Sequence, residues 1–552
     1  MDPRPLIPLR CGFIFAAAAL FASASTAGCR CGSATESDAG DAQPGGDGGP
    51  DASADAGASD AAACPIYTDL CGGACIPTSV DPVNCGDCDV TCTGALACSA
   101  GACSATCLSG QTACDNSCVD ILTSNAHCGG CDAPCDPGDG CGDGTCVPAL
   151  ITAAPPAMCA EGGPPIVVGG TETSCIAVTS FTWALCSCTD VQLSAPLLTD
   201  AYDSSMGPYT PPGGLGAGVG LNELFMTSST ADVSGALWAS STAGIGTSND
   251  LTVRQELHSG GDFTLSAPGI VGADAFVNGD VSTPMTLDIA GDLHVPAGAA
   301  VSAGVTYASL VTGPVTVPPP CDCDPADLVD IAGIVAAHTT MNDNALIGLD
   351  PTATTNPMSA VRIDLPCGHY YLDAVTGSRD VTIVAHGNTA LYVGGDVQLS
   401  QSFRVTVDPG FSLDVFIAGD LSVSSGSSFG SPNYPAMTRV YIGGANGFSM
   451  SAGSLFGAFF YAAYGPVMTS GDIEVFGGVF AGDFGASAGT TIHYDLAVLD
   501  LPGDCTNPGG CDSCADCGNQ ACIAGACGAC TDSSQCCAPL LCVSGVCMAY
   551  IP

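Results

Sequence analysis

Between about residues 149 and 501, short apolar segments alternate with a Gly-Asp step, and this repeat restricts the possible folds more than any other feature of the chain. The apolar segments are rich in β-branched and aromatic residues, which favour strands. Gly-Asp is turn chemistry, because glycine adopts a positive φ freely and aspartate bonds its own backbone. The step occurs as Gly261-Asp262, Gly279-Asp280, Gly291-Asp292, Gly395-Asp396, Gly419-Asp420, Gly471-Asp472 and Gly482-Asp483.

Many short strands punctuated in this way predict a stack of coils that bury their apolar sides on one another. We therefore expect a mainly β protein with a parallel β-helix, or solenoid, over residues 149–504. One helix is expected near 324–338, where Asp324 can cap it and Leu328, Ile331, Val335 and His338 fall on one stripe. The apolar run from Leu455 to Met468 is interrupted by glycine and proline, so it is interpreted as a buried strand.

Charge and cysteine content restrict the partners and the compartment. The formal net charge is −46, and such a field repels nucleic acid and anionic membrane surfaces. The 37 Cys fall in clustered, repeated spacings, which indicates an oxidising space outside the cytosol.

Residues 1–28 have the layout of a signal peptide, with Arg4 and Arg10 before an apolar run. The run ends in Thr26-Ala27-Gly28-Cys29, which resembles the lipobox of bacterial lipoproteins. The resemblance implies a lipid on Cys29 and, with Arg30 following, the outer membrane. Ordinary cleavage without a lipid is the alternative. Residues 29–63, mostly Asp, Ala, Gly and Ser, predict a disordered acidic linker.

Two Cys-rich repeats follow, repeat 1 at 64–106 and repeat 2 at 107–148, and each Cys of repeat 2 lies 43 residues after its counterpart. Units of this size depend on crosslinks, so we expect disulfides with unassigned partners, and zinc is the alternative because of the Cys-x-x-Cys pairs. The cysteines are Cys64, Cys71, Cys75, Cys85, Cys88, Cys92, Cys98 and Cys103, then Cys107, Cys114, Cys118, Cys128, Cys131, Cys135, Cys141 and Cys146.

The run Asn84-Cys-Gly-Asp-Cys-Asp-Val-Thr-Cys, preceded by Cys75-Ile-Pro-Thr-Ser-Val-Asp-Pro, resembles the repeat of the stigma-specific protein family. This resemblance implies an extracellular module and no chemistry.

The central region has further marks: the pairs Cys186-x-Cys188 and Cys321-x-Cys323, the run Leu365-Pro-Cys367-Gly-His-Tyr-Tyr and the closing Ile492-His-Tyr-Asp. Together they resemble a β-helical domain of unknown function of bacterial surface proteins, some similar to pilus-assembly proteins of the PilX type. The resemblance spans about Cys186 to Leu501 and implies no activity. The cysteines are expected in disulfides, and a soft-metal site is the alternative.

Residues 505–552 form a C-terminal Cys-rich module, whose pattern is similar to knottin-like and Dickkopf-type extracellular modules. A crosslinked cap on the last edge of the solenoid is the other interpretation. The cysteines expected in disulfides here are Cys511, Cys514, Cys517, Cys522, Cys527, Cys530, Cys536, Cys537, Cys542 and Cys547.

Few residues suggest chemistry. His369 and His493 are the best titratable candidates, and each lies beside Tyr in a strand, where a structural role is favoured. Arginines are scattered through the solenoid, which disfavours an acidic-polysaccharide lyase. Asp136, Asp139 and Asp143 suggest calcium, but their spacing does not match an EF-hand loop, and a solvated turn is favoured. We therefore assign no catalytic residue, no metal site and no cofactor, with calcium kept open.

These features predict an exported, lipid-anchored cell-surface protein that is structural or adhesive and not an enzyme. Its expected partners are the membrane, through the lipid, and a carbohydrate or surface-protein ligand. The alternatives are a carbohydrate-active β-helix enzyme, either lyase or hydrolase, and a calcium-dependent surface assembly protein.

We predict that mass analysis of the mature N-terminus finds Cys29 as the first residue with a diacylglycerol modification. An unmodified Cys29, or a mature chain that begins elsewhere, would contradict the lipoprotein interpretation.

Overall fold

The computed structural model describes residues 69–503 apart from 73, 79, 95, 100, 108, 109 and 152–155, and beyond them only 521–523, 526–528, 535, 540–543 and 546–549. All of these belong to one compact unit. The predicted signal peptide and the predicted disordered linker lie outside the described residues.

The Cys-rich repeats consist of short hairpins. Their strands are β1 Asp69–Cys71, β2 Ala74–Ile76, β3 Ala97–Ser99, β4 Ala102–Ser104, β5 Thr112–Cys114, β6 Ser117–Val119, β7 Asp139–Gly142 and β8 Thr145–Pro148. The strands form four antiparallel hairpins, β1 with β2, β3 with β4, β5 with β6 and β7 with β8. In addition β3 pairs in parallel with β6, which joins the two repeats.

The first part of the solenoid runs from residue 157 to 312. It contains a 3-10 helix Ala157–Gly162, β9 Val167–Val168, β10 Thr171–Glu172, α1 Thr173–Ser180, β11 Leu185–Ser187, β12 Val191–Leu193, β13 Leu197–Tyr202, β14 Val219–Leu221, β15 Phe225–Thr227, β16 Ala231–Val233, β17 Leu237–Ala239, β18 Ile245–Thr247, β19 Leu251–Val253, β20 Leu257–Ser259, β21 Phe263–Leu265, β22 Gly269–Val271, β23 Ala275–Val277, β24 Val281–Ser282, β25 Leu287–Ile289, β26 Leu293–Val295, β27 Val305–Thr306 and β28 Leu310–Thr312.

The second part follows a connection that carries α2 Ile331–His338 and α3 Asn344–Ile347. Its strands are β29 Val361–Leu365, β30 Gly368–Leu372, β31 Val375–Gly377, β32 Val381–Ala385, β33 Thr389–Val393, β34 Val397–Leu399, β35 Phe403–Val407, β36 Leu413–Ile417, β37 Leu421–Ser422, β38 Ser428–Gly430, β39 Thr438–Ile442, β40 Phe448–Ser451, β41 Leu455–Ser470, β42 Ile473–Ala486 and β43 Thr490–Asp495, with 3-10 helices Pro435–Met437 and Leu496–Asp500. Beyond it lie two hairpins, β44 Ala521–Ile523 with β45 Ala526–Gly528, and β46 Leu540–Val543 with β47 Val546–Ala549.

The predicted fold class, a mainly β parallel solenoid, is confirmed. Each short strand pairs in parallel with a strand of the next coil, so the coils form three faces. Face 1 has the order β30-β33-β36-β39-β41-β42-β11-β14-β17-β20-β23-β26-β28. Face 2 begins at β31 and face 3 at β29. The run from Leu455 is the buried strand β41, as predicted.

The spatial order of the coils differs from their order along the chain. The chain enters the stack in the middle at β11 and winds outward to β28. It then returns to the opposite end, starts again at β29 and winds back until β42 and β43 meet the first coil. Leu185 of β11 is consequently paired both with Val219, shortly after it, and with Val479, near the end of the solenoid.

The Gly-Asp steps have a different cause from the one expected. Among these seven glycines only Gly471 has a positive φ, 84°. Five of the seven aspartates use a carboxylate oxygen to accept a backbone N–H of the next coil: Asp262, Asp280, Asp396, Asp420 and Asp472. The glycine leaves room for the carboxylate below it, since a Cβ on Gly419 would lie 2.2 Å from Asp396 Oδ1. The motif therefore joins one coil to the next.

The expected helix is shorter than predicted, because it begins at Ile331 rather than at residue 324. Asp330 is its cap, and the Asp330 carboxylate accepts the Gly333 N–H at 2.9 Å. The backbone carbonyl of Asp324 accepts the Asp327 N–H at 2.8 Å and forms a separate turn before the helix. The hydroxyls of Tyr461 and Tyr464 hold the N–H and C=O of Val329, so that residue stays outside the helix. Of the predicted stripe, Ile331, Val335 and His338 are buried on α2, whereas Leu328 precedes the helix and is half-buried.

The connection from residue 313 to 360, which we call the strap, crosses face 1 above a column of outward-facing positions, most of which carry an aromatic ring. In register order the column is Tyr371, Tyr392, Phe416, Tyr441, Tyr461, Phe480, Cys186, Gly220, Trp238, His258, Phe276 and His294. The ring of Trp183 lies over Gly220, where a Cβ would be 3.0 Å from it. The strap contacts this column through His338, which stacks on Tyr392 at 3.9 Å, and through the Pro318 carbonyl, which accepts from Trp238 Nε1 at 2.8 Å.

Repeat 2 is attached to face 3 by two arginines. Arg362, 2% exposed, donates to the Thr123 carbonyl at 2.8 Å. Arg404 Nε donates to Asp143 Oδ1 at 2.8 Å. In the part of the chain that the structure describes, no helix is long and apolar enough to span a membrane.

We predict that Gly419→Ala lowers the thermal stability of the solenoid by roughly 1–3 kcal/mol, because its methyl group would displace the Asp396 carboxylate and press on the backbone of Gly395 and Asp396. Gly246→Ala is the matched control, since a Cβ there meets open space. Thermal melts of both variants, and of Asp396→Ala with and without Gly419→Ala, check this. In the double variant the losses should be less than additive, whereas full additivity would contradict the proposed contact.

Candidate functional site

His493 lies at the seam where the last coil of the chain meets the first. It stands on β43, in register with Asp200 of β13. Its Nδ1 is 2.6 Å from Asp200 Oδ1, and its Nε2 is 3.0 Å from Glu474 Oε1 of β42. The ring of Tyr209 is tilted by 39° against the imidazole with 4.0 Å between ring centroids, and its hydroxyl donates to Asp200 Oδ2 at 2.6 Å. These four side chains form a polar cluster at the seam, in which Asp200 and His493 are buried and Glu474 is exposed.

The hydrogen bonds of the cluster favour the protonated form of His493. Burial lowers the pKa of His493, but the hydrogen bonds to Asp200 and Glu474 together raise it above its ordinary value. The hydrogen bond from His493 in turn lowers the pKa of Glu474. Burial, followed by the hydrogen bond to Asp200, raises the pKa of Tyr209. Both imidazole nitrogens are thus engaged, which leaves no basic nitrogen for proton abstraction. The arrangement bridges three successive coils.

A second bridge of this kind surrounds His386. Its Nε2 is 2.9 Å from Asp364 Oδ1 and its Nδ1 is 2.7 Å from Asp408 Oδ2. Burial lowers the pKa of His386, but the two hydrogen bonds raise it to about 9. We did not predict this site from the sequence. The signal was present, because the three residues are spaced 22 apart, which is one coil.

His369 is placed in the interior, under the strap. Its Nδ1 is 2.8 Å from the Tyr392 hydroxyl, and its ring lies parallel to that of His338 at 5.4 Å. Burial, with a smaller effect of His338, lowers the pKa of His369 to about 3. Burial raises the pKa of the adjacent Asp343 to about 6. The structure does not bring His369 and His493 together.

A cavity of about 350 Å³ lies between α2 and the turn after β9. It is lined by Val168, Gly169, Asp330, Gly333, Ile334, Ala337, His338 and Met341. Asp330 is already used as the cap of α2, and His338 Nδ1 is 2.8 Å from the Ile334 carbonyl. The walls are mainly apolar, and no pair of carboxylates converges here as glycoside hydrolysis requires.

Several arginines of the solenoid are paired with aspartates. Arg439, 1% exposed, forms a two-pronged pair with the fully buried Asp414 at 2.6 and 2.7 Å. Arg362 and Arg404 are also buried and are paired with Asp364 and Asp143, whereas Arg254 and its partner Asp232 lie at the surface. Since a buried pair left without one partner is strongly destabilising, the buried contacts favour a structural role.

The disulfides of the central region fasten separate segments. The structure joins Cys186 to Cys321 and Cys188 to Cys323, so the four cysteines considered for a soft metal tie the strap to the first coil. Cys159 is joined to Cys367 across 208 residues. Cys175 is also disulfide-bonded.

The repeats share one disulfide pattern. Repeat 2 has Cys107–Cys118, Cys114–Cys131, Cys128–Cys141 and Cys135–Cys146, and the described part of repeat 1 has Cys71–Cys88, Cys85–Cys98 and Cys92–Cys103. The Cys-x-x-Cys pairs considered for zinc are therefore oxidised. Among the cysteines named in the sequence analysis, the structure does not describe the side chains of Cys29, Cys64, Cys75, Cys511, Cys514, Cys517, Cys522, Cys527, Cys530, Cys536, Cys537, Cys542 and Cys547.

Two groups of side chains in repeat 2 are candidates for a cation site, and in each group one residue has another partner. Of the three aspartates considered for calcium, Asp143 is paired with Arg404. A group that the sequence did not suggest, Asp115, His127 and Asp132, has ligand atoms within 4.8 Å of one another. His127 Nδ1, however, accepts the Asp132 N–H at 3.1 Å, so the proton of the neutral ring is on Nε2. That arrangement does not suit a metal ligand.

Two family models match parts of the chain. Residues 52–106 and 100–149 match the stigma-specific STIG1-like protein family, in agreement with the resemblance of the repeats. Residues 325–501 match a domain of unknown function, DUF7305. This match covers the second part of the solenoid and not the first. The resemblance described from the sequence was expected to begin earlier, at about Cys186. No curated protein and no solved structure matches the chain.

We predict a pH dependence of stability that His386 causes. Because its folded pKa of about 9 exceeds its unfolded value, the stabilisation is complete below pH about 6.5 and is lost as the pH rises through about 9. The difference in Tm between wild type and His386→Gln should be largest near pH about 6 and should shrink at higher pH. A difference that is constant with pH would contradict this account.

Proposed function

We propose that the protein is exported, is anchored to the outer membrane through a lipid on Cys29, and acts at the cell surface as a structural or adhesion protein. The ten disulfides that join two described residues suit an oxidising compartment. The match of the repeats to the stigma-specific family supports the same location.

The observation that carries the proposal is the continuity of the coil stack. Face 1 runs without interruption from β30 to β28, and the strap lies along it, held by two disulfides. Each coil adds about 4.8 Å, so roughly a dozen coils make a rod on the order of 60 Å long. Such a rod suits the presentation of a binding surface at a distance from the membrane, with a carbohydrate or a surface protein as its ligand.

The enzymatic alternative has less support. The histidines of the two surface clusters have both nitrogens bonded to carboxylates, and a general base needs a free one.

Antibody labelling of intact cells of the native host tests the proposal. We expect the wild-type protein on the cell surface and in the outer-membrane fraction, and Cys29→Ser released from that fraction, because the lipid is the only proposed anchor. Repeat 2 and the solenoid are unchanged in this variant, so its Tm serves as the folding control. Retention of wild type in the cytosol, or membrane attachment that does not depend on Cys29, would refute the proposed location or anchor respectively.

A further inference from the structure

The two ends of the solenoid are finished differently. At the β29 to β31 end, α3 and its cap pair with the outer edge of β30. Asp343 donates its N–H to the His369 carbonyl and accepts the His369 N–H on its carboxylate. Asn344 uses its side-chain amide in the same way with both backbone groups of Tyr371.

The neighbouring edges at this end are also paired. Ala149 bridges Arg362 of β29, and Leu150 donates to the Arg362 carbonyl at 3.0 Å. Thr355 bridges Thr376 of β31. The core side chains of this terminal coil, Ile363, Tyr370 and Val375, are consequently fully buried.

At the opposite end the hydrophobic core is open. Among the described residues, β28 pairs with β26 and no strand pairs with its outer edge. Leu310 stands in register with the fully buried Leu293, but it is 43% exposed, and the adjacent Val311 is 39% exposed. Ser309 and Gly313 bond inward to β26, so in the alternating pattern of a parallel ladder the backbone groups of Leu310 and Thr312 point outward.

This terminal coil also lacks charge. No Asp, Glu, Lys or Arg occurs between Asp292 and Asp322, in a chain with a formal net charge of −46. Open edges in soluble proteins are usually protected by charged residues or proline. In a symmetric interface each charged residue can come close to its own copy, so a neutral edge removes that repulsion between two copies of a strongly acidic chain.

We propose that the outer edge of the terminal coil, which Val301, β27 and β28 form within residues 301–313, is a docking surface for the same edge of a second copy. A two-fold axis perpendicular to the solenoid reverses the strand direction, so the two β28 strands would pair antiparallel and bury Leu310. A second coil of the same cross-section matches this edge on all three faces, which a single extended peptide cannot do.

The open edge lies in the half of the stack away from repeat 2, which docks on β29 and β35 through Arg362 and Arg404. If the chain is anchored as proposed above, the docking edge is remote from the attached end, and copies on facing surfaces could meet through it. The dimer itself does not depend on the anchor, so a failure of one proposal can be distinguished from a failure of the other.

Sedimentation velocity of the full chain carrying Cys29→Ser, from about 1 to about 100 µM, tests the dimer. We expect a monomer–dimer equilibrium for the wild type. For Val311→Lys the dissociation constant of the dimer should be at least about tenfold higher, because two lysines would then face each other. Ile270→Lys is the matched control, since Ile270 is 51% exposed on the inner coil strand β22, and it should dimerise as wild type does.

Thr312→Pro is a second variant, which removes one outward N–H and should weaken the dimer without a new charge. Thermal melts check that each variant is folded. A wild-type chain that stays monomeric over the whole range would overturn the proposal. A dimer that persists in both edge variants would place the interface elsewhere and would also overturn it.

Discussion

The backbone hydrogen bonds between successive coils are the interaction on which this solenoid depends. The backbone groups of each short strand are hydrogen-bonded because the next coil provides a matching strand. In the polar turns, side chains form hydrogen bonds between coils in the same way. An aspartate carboxylate in one coil accepts an N–H of the next, and a glycine above it leaves the space, as Asp396 and Gly419 illustrate. The turns thereby contribute to the stacking rather than only reversing the chain.

A stack that grows outward from its middle needs a connection between its two ends, and here that connection also covers one face. The strap lies on a column of aromatic rings whose edges and faces would otherwise be exposed to water, and two disulfides fix it to the first coil. The seam where β43 meets β13 is held in a different way, by the hydrogen bonds of His493 to Asp200 and Glu474. Disulfides thus fasten the strap, and side-chain hydrogen bonds fasten the seam between two coils that are far apart along the chain.

The ionisable groups of the solenoid mostly serve one another. Arg439 is paired with Asp414, His386 bridges two aspartates, and His369 is neutral and bonded to Tyr392. Groups that are committed in this way stiffen the rod and are poorly placed for chemistry. The proposed structural or adhesion role would make use of that stiffness, and in the proposed dimer the neutral terminal coil would join two rods.

The sequence by itself determined the coil architecture, because the alternation of apolar runs and Gly-Asp turns is local and repeats. It also determined the disulfide-bearing repeats, whose 43-residue register is visible without a structure, and the buried stripe of α2. Only the tertiary structure decided the order of the coils, since pairing Leu185 with Val479 depends on contacts across almost 300 residues. The reason for the glycines, the start of α2 at Ile331, the histidine bridges and the open edge at β28 likewise follow from neighbours in the adjacent coil, which are close in space and distant along the chain.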